Sequence, residues 1–507
     1  MSSYLVGLDL GTSALKAVLA DPERGVVAVA EHDYPMRRPH PGWAENDPED
    51  WMTAAARAVP RLLARGGIAA GEVAAVCIVS QRDIGALIDG AGAPLGPCIH
   101  WSDRRDPDET ERLFDGLGRE RLLETCGTDP IPGLLLPNLV WTARHQAALF
   151  ARAHAALGPK DYVTYRLTGE IATDRTTPTR SLLNDWRTED WSDELCEEAA
   201  IPRELLPPVR YSPWEARAVL DERAALIGLA PGTVLAAGGG DDPSAALGCG
   251  VTEPGELSIG SSSSTSWRVV ATRPSVSAGS PLGVLPHVVP GRYLHEMVAM
   301  GTGTSLRWFR EALAARVDAT LGYADLLAEA GTAKRGAGGV LFYPYVEGAT
   351  IPYDDDRVRA AFLGIETHHT RGDLVRAIAE AVAYQYPPTI EIVEQAGHSV
   401  SAITISDGEA RSPLWNQIKA DVMNRPLRVA AVPEAPAVGA AILAGMAAGV
   451  FATADAGVSA LTRPADVFVP DAESHGVYEP LRRRWEAARA HVFAAAALAV
   501  PETVGRA

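Results

Sequence analysis

The sequence predicts an α/β protein of two domains, on three observations. At 507 residues the chain exceeds what one hydrophobic core supports. Strand-like and helix-like segments alternate along it, the pattern of an α/β domain. A strand followed by a tight turn and hydroxyl residues occurs in LDLGTS (Leu8–Ser13) and returns in GELSIGSSSSTSW (Gly255–Trp267), so two related halves are expected. The glycine cluster before Gly248 marks the boundary, giving domains 1–248 and 249–507, and two lobes imply a cleft.

Each element follows in order. From Tyr4 to Ala30, apolar and small residues alternate around the turns LDLGTS and ADPERG, which predicts a hairpin-rich sheet. The DPED start signal precedes helical spacing from Asp50 to Ala70, and VAAVCIVS (Val73–Ser80) is a short buried strand. From Pro137 to Ala200 the pattern is helical with aromatic anchors, and Trp51, Trp186 and Trp191 are assigned to packing. PGTVLAAGGGDDPSAALG (Pro231–Gly248) returns to strand, glycine loop and helix. In the second half, DGEARSPLWNQIKADV (Asp407–Val422) precedes the alanine-rich helix Val438–Val450, whose small residues permit close packing. The segment Ala494–Val500 is too short to cross a bilayer and predicts the end of a packed terminal helix.

Composition narrows the function. With 47% hydrophobic and 22% charged residues the chain is globular rather than disordered. A net charge of -18 repels nucleic acid and acidic membrane surfaces, so neither is an expected partner. The five cysteines Cys77, Cys98, Cys126, Cys196 and Cys249 contain no CxxC pair and read as core thiols of a reducing compartment. The opening MSSYLVGLDLGTS shows no basic segment followed by a long apolar one, so a cytoplasmic protein is expected. His368 and His369 lack acidic or cysteine partners at ligand spacing, which argues against a metal site there.

Four candidates can carry chemistry, the third of them made of two segments. In GLDLGTSALK (Gly7–Lys16), Asp9 on a strand is followed by Gly11, Thr12 and Ser13, whose amides and hydroxyls can hold phosphate oxygens; Asp9 can orient a magnesium-bound water and Lys16 adds positive charge. A plain hairpin turn fits this segment equally well. In AAGGGDDPSAA (Ala236–Ala246), Asp241 stands at a strand end where open α/β sheets place ligands, and can accept a proton from a hydroxyl attacking a phosphoryl group. The competing reading is a helix cap, which suits Asp242 before Pro243 better. SQRDIGALID and HWSDRRDPDE place Gln81, Arg82, Asp83 and Asp103 at the end of a buried strand, as paired donors and acceptors for sugar hydroxyls; Arg105, Asp106 and Glu109 read as a solvated helix start. The hydroxyl run Ser261–Ser264 after Gly260 mirrors the first turn, with a flexible serine turn as the alternative.

Taken together these segments resemble the FGGY family of carbohydrate kinases from Tyr4 to about Phe451, through GWAENDPEDW, KDYVTYRLTGEIATD, DWSDEL, PGTVLAAGGGD and FLGIETHHTRGDLVRAIAE. The resemblance implies a two-domain actin-like, hexokinase-like (ribonuclease H-like) ATPase fold, in which ATP and a sugar meet in the interdomain cleft with Mg²⁺. It implies Asp241 as catalytic base, Asp9 and Asp241 as metal-organising carboxylates, and Gly11, Thr12, Ser13 and Lys16 as phosphate neighbours. Gly260 and Ser261 match the second phosphate segment, Gly303 a nucleotide-side glycine, and Gly408, Glu409 and Ala410 the adenosine segment. Expected partners are ATP and a small sugar or polyol, with a homodimer as the candidate assembly.

Within the family the texture is most like xylulokinases, but several positions depart from it. Gln81, Arg82 and Asp83 replace the usual Gln-Met-His and come nearer the Gln-Arg-Glu of glycerol kinases, also resembling autoinducer-sugar kinases. Asp242 stands where asparagine is expected, Ser261-Ser262 where the second loop has Thr-Ser, and Asp407 and Glu409 flank Gly408 where three glycines are usual. The expected activity is phosphorylation of a ketopentose such as D-xylulose; the alternatives are another polyol or sugar, such as glycerol or an autoinducer sugar. From other classes, the rivals are a non-catalytic sugar or nucleotide sensor, prompted by Glu409, and an actin-like assembly protein.

Overall fold

In the computed structural model the described residues are 4–261, 264–276, 280–300, 302–353, 355 and 357–499. Met1, Ser2, Ser3, Ser262, Ser263 and Val500 of the segments above lie outside them. The chain divides into two compact units that are not contiguous in sequence: Met1–Pro254 with Val270–His295 and Glu434–Arg463, and Gly255–Val269 with Glu296–Pro433 and Pro464–Ala507.

The first unit is built on strands β1 (Tyr4–Leu10), β2 (Ala14–Asp21), β3 (Gly25–Asp33), β4 (Val73–Ser80), β5 (Ala216–Val219) and β6 (Val234–Ala236). They lie in the order β5-β6-β4-β1-β2-β3. β1 is buried along its whole length and runs parallel to β4, antiparallel to β2. β6 is parallel to β4 and antiparallel to β5. Helix α1 (Pro48–Gly66) starts where expected, because Asp47 accepts from Glu49 N at 3.0 Å, Pro48 takes the first turn and Gly67 closes the helix at φ 67°. Its inner face buries Trp51, Ala55, Val59 and Leu62 in the core that Leu8, Leu10, Val76 and Ile78 supply from the sheet.

The second unit carries β7 (Glu256–Ser261), β8 (Ser264–Ala271), β9 (Ala402–Ser406), β10 (Leu427–Ala430) and β11 (Pro464–Phe468), five neighbours in a seven-stranded sheet, in the order β8-β7-β9-β10-β11. β7 is antiparallel to β8 and parallel to β9, β10 is parallel to β9, and β11 is antiparallel to β10. The directions match β2-β1-β4-β6-β5 one for one. The two related halves suspected from repeated glycine and hydroxyl turns are thus repeated as a sheet plan.

Two helices matter to the sites, α2 (Asp241–Gly248) in the first unit and α3 (Pro413–Met423) in the second. The alanine-rich helix α4 (Ala435–Ala447), late in the chain, belongs to the first unit. Its small residues bring backbone onto backbone. A Cβ on Gly7 of β1 would lie 1.9 Å from Ala437 O, one on Gly248 1.9 Å from Ala435 O, and one on Gly439 1.9 Å from Ser244 O. α4 therefore packs backbone to backbone against both β1 and α2.

Between 169 and 192 the expected helical run is absent, and turns replace it with two-residue strands at Thr173–Asp174, Asn184–Asp185 and Asp190–Trp191. Asp174 accepts from Thr176 N at 2.7 Å, a local bond that competes with helix formation, and Arg180 and Leu182 adopt left-handed φ of 63° and 60°. All five cysteines are buried and free, as their spacing implies. Among the described residues no helix is long and apolar enough to cross a membrane.

Gly439→Ala tests the backbone contact of α4. Its added methyl cannot be accommodated without displacing Ser244, so denaturant unfolding should show a loss of about 1–3 kcal/mol. An unchanged midpoint would mean that α4 stands further from α2.

Candidate active site

Three loops leave the carboxyl ends of the adjacent parallel strands β1, β4 and β6, the edge at which open α/β sheets bind ligands. They carry residues 11–13, 81–83 and 237–241. Glycine is required in the last. Gly238 sits at φ 72° with its absent Cβ 1.9 Å from Ile78 O, and at Gly240 a Cβ would meet the Arg82 side chain at 2.2 Å. Arg82 can lie across this backbone only because Gly240 has no side chain.

Arg82 is 3% exposed and joins the two loops. Its Nη2 donates to Asp242 Oδ2 at 2.9 Å, its Nη1 to Thr179 Oγ1 at 2.8 Å, and its Nε lies 3.8 Å from Asp241 Oδ1. Asp83 accepts from Arg180 Nε at 3.1 Å. The cap position of α2 is Gly240, which has no side chain to cap with; Asp241 Oδ1 accepts from the Asp242 amide at 2.9 Å. The capping reading of Asp242 therefore gives way to an ion pair. The Asp241 side chain keeps 30% of its surface open. Its carboxyl is pushed up to about 8, first by burial and then by the negative charge of Asp242, with Asp9 and Asp83 adding and Arg82 opposing. A carboxyl so raised is the kind that clusters at functional sites.

Gln81 is 4% exposed, and its Oε1 faces His100 Nε2 at 3.2 Å. His100 Nδ1 accepts from Ser102 N at 3.1 Å, which places the imidazole proton on Nε2. Burial pulls His100 down to about 3, so the ring stays neutral. The Gln81 carboxamide is thereby oriented, and among the described residues its buried Nε2 has no hydrogen-bond partner. A hydroxyl oxygen is a fitting acceptor for it.

Asp103 is fully engaged within the protein. It accepts from Ala44 N at 2.6 Å and from Arg105 N, Nε and Nη2 at 2.7–2.9 Å. Arg105 lies 3.9 Å and 4.6 Å from the ring centres of Trp43 and Trp141 and also pairs with Glu45 at 2.8 Å. The solvated helix start holds for Asp106, which caps the helix by accepting from Glu109 N, but not for Arg105 or Glu109. Both are buried, Glu109 against Arg144 and His145, because a local charge run cannot reveal the tryptophans and cations that close over it.

On the β1–β2 turn, Thr12 and Ser13 are exposed. Tyr34 holds the turn, donating from its hydroxyl to Gly11 O and from its amide to Ser13 O at 2.9 Å. Asp9, 6% exposed, is the register partner of Lys16 across the hairpin.

In the second unit, β7 and β9 end side by side, with Gly260 opposite Ser406. The Ser261 hydroxyl turns inward to Thr265 Oγ1 at 3.0 Å. A cavity of about 880 Å³ is lined by Gly303, Leu306, Tyr323, Gly408, Glu409 and Trp415, ample for a purine nucleoside. Glu409 presents no bare charge to it, because Oε2 accepts from Lys419 Nζ at 2.7 Å and Lys419 lies near the faces of Trp415 and Tyr386 at 4.9 Å and 5.4 Å. The observation that prompted a sensor reading is thus compensated inside the fold.

A duplicated sheet plan, strand-end carboxylates in one unit and a purine-sized cavity in the other define a nucleotide-dependent phosphotransferase. The chain belongs to the FGGY family of carbohydrate kinases: residues 4–248 match the family's N-terminal domain and 257–448 its C-terminal domain. It is an ATP-dependent carbohydrate kinase with that family's two-domain fold. It is 30% identical to a xylulose kinase of Staphylococcus epidermidis over 96% of each chain. It is 29% identical to an autoinducer-2 kinase of Escherichia coli O139:H28, over 96% of this chain and 93% of that one. The crystal structure of xylulose kinase from Rhodospirillum rubrum superposes with a TM-score of 0.85 at 31% identity, covering 96% of this chain and 99% of that one.

Sequence reasoning missed His100, Thr176, Thr179 and Arg180, the residues that grip Gln81, the backbone at Gly240, Arg82 and Asp83. The KDYVTYRLTGEIATD block ends at Asp174, two residues before Thr176, and was the available signal.

Lys419→Met should cost about 3–5 kcal/mol of stability, because it strands the buried Glu409 carboxylate. Adding Glu409→Gln should restore most of it. A single variant as stable as the parent in denaturant titration would show the pair to be dispensable.

Proposed function

We propose that the chain transfers the γ-phosphoryl group of ATP to a hydroxyl of a neutral ketose, with D-xylulose first among the acceptors, and that Asp241 is the base. The carrying observation is Asp241 itself: partly open, at a strand end, beside Arg82 and with a carboxyl tuned toward neutrality. The acceptor hydroxyl gives its proton to Asp241, its oxygen forms the new bond to the γ-phosphorus, and the bond from that phosphorus to ADP breaks.

Neutrality of the acceptor follows from charge. At these strand ends Asp9, Asp83, Asp241 and Asp242 stand with Arg82 and Arg180, and both guanidinium groups already meet carboxylates. An acid sugar would enter a negative field, whereas hydroxyls suit Gln81, Arg82, Asp83 and Asp242, with Asp103 shaping the wall. This favours a ketose, as in the xylulose kinases to which the chain is similar, over gluconate.

The remaining roles belong to the same proposal. Domain 1–248 supplies the acceptor site, with Gly11, Thr12, Ser13 and Lys16 as phosphate neighbours. Domain 249–507 holds the nucleotide through Gly260, Ser261, Gly303, Gly408, Glu409 and Ala410. Mg²⁺ fits the donor set, since Asp242, Asp9 and Asp83 raise the proton affinity of Asp241 and a cluster of hard carboxylate oxygens favours a divalent cation, and Asp9 and Asp241 would hold it. When bound it would screen the phosphate charge. The work site is the cytoplasm.

ADP release measured over ketoses, polyols and gluconate should show turnover with a ketose and none with gluconate; the reverse order would overturn the acceptor assignment. Asp241→Ala should lower kcat by roughly 10²–10⁴-fold, and near-parental turnover would remove it from the role. Because the base acts deprotonated, kcat/KM should rise with pH toward about 8. Asp242→Asn removes a like charge and should move that limb to lower pH. A limb that moves upward, or stays put, contradicts the assignment.

A further inference from the structure

The residues that hold Asp241 and Arg82 in place lie in the 173–179 segment, which the activity itself leaves without a role. Thr176 Oγ1 accepts from Gly240 N at 2.8 Å, the amide just before Asp241, and donates to Asp174 Oδ1 at 2.5 Å. Thr176 O accepts from Thr179 Oγ1 at 2.6 Å, and that hydroxyl accepts in turn from Arg82 Nη1 at 2.8 Å. One short segment therefore holds both partners of the Arg82–Asp241 contact.

Buried charge anchors this segment. Asp174 is 1% exposed and accepts from Thr176 N, Thr176 Oγ1, Thr177 Oγ1 and Lys160 Nζ at 2.5–2.8 Å. Lys160, also 1% exposed, bonds Asp161 Oδ1 at 2.7 Å, while its own amide donates to Ser80 Oγ at 3.2 Å, the last residue of β4 before Gln81 and Arg82. Since the Thr176 hydroxyl spends its proton on Asp174, its lone pairs are left to the Gly240 amide. Gly240 is itself the cap residue of α2, so the Thr176 hydroxyl fixes the backbone at the point where the helix starts. Gly239 fits closely too: a Cβ there would lie 3.0 Å from Thr176 Oγ1.

We propose that Thr176 is a positioning residue for the phosphoryl transfer, setting the start of α2 against Arg82 through Gly240 and Thr179, with Asp174 and Lys160 as its buried anchor. This rests on the reading of Asp241 as base. A general base must sit within hydrogen-bond reach of the proton it takes, and a misplacement of about 1 Å can cost on the order of 10²-fold in rate.

The test is a pair of substitutions. Thr176→Val keeps the shape and removes the hydroxyl; Thr176→Ser keeps the hydroxyl. Thr176→Val should lower kcat about tenfold or more with the KM for ATP unchanged. Thr176→Ser should return kcat to within about threefold of the parent. Parental kcat in Thr176→Val, or equal losses in both variants, would overturn the proposal. Should Thr176→Val fail to fold, Thr179→Val removes the bonds to Arg82 and to Thr176 O and must lower kcat with the KM for ATP unchanged, with Thr179→Ser restoring it; a parental kcat there overturns it equally. Asp241→Ala run alongside separates the two readings: full activity in that variant removes the base, whereas an inactive Asp241→Ala beside a fully active Thr176→Val removes only the positioning role.

Discussion

The first unit's chemistry depends on one cation buried among carboxylates. Arg82 is almost wholly desolvated, and it is tolerable there only because Asp242, Asp241 and Thr179 meet it. That single group fixes the start of α2 relative to the end of β4 and offsets part of the repulsion among Asp9, Asp83, Asp241 and Asp242. The glycines around it follow from the same requirement, since a side chain at 240 would occupy the space the guanidinium needs.

The same logic governs the second unit with opposite signs. There a buried carboxylate, Glu409, replaces the small residue that the family resemblance implies, and a buried ammonium, Lys419, answers it under two aromatic rings. Burial draws the Lys419 ammonium below its usual range, and Glu409 opposes this in part. Both units thus carry charge into positions that only a partner makes affordable, and both do so beside the ends of paired parallel strands.

Much of the fold was legible in the residues. The alternation around LDLGTS and ADPERG marked the β1–β2–β3 hairpins, VAAVCIVS matched β4 at both ends, and the DPED signal located α1 to within a few residues. The place of Asp241 after a strand and at the start of a helix was legible from the strand pattern, the glycine run and the aspartate in that order. What stayed hidden was contact at long sequence separation. Thr176 meets Gly240 across 64 positions and Arg82 meets Thr179 across 97, and nothing local announces either bond. The place of α4 was hidden for the same reason: its alanines predicted close packing without naming β1 and α2 as its neighbours.

The electrostatics of the Asp241 carboxyl can be followed directly. In protein labelled with ¹³C at aspartate side chains, the Asp241 carboxyl signal of the ligand-free enzyme, assigned by its loss in Asp241→Ala, should titrate with a midpoint near 8, as burial and its acidic neighbours require. A midpoint in the ordinary range of aspartate, about 4, would contradict the charge cluster described for this site.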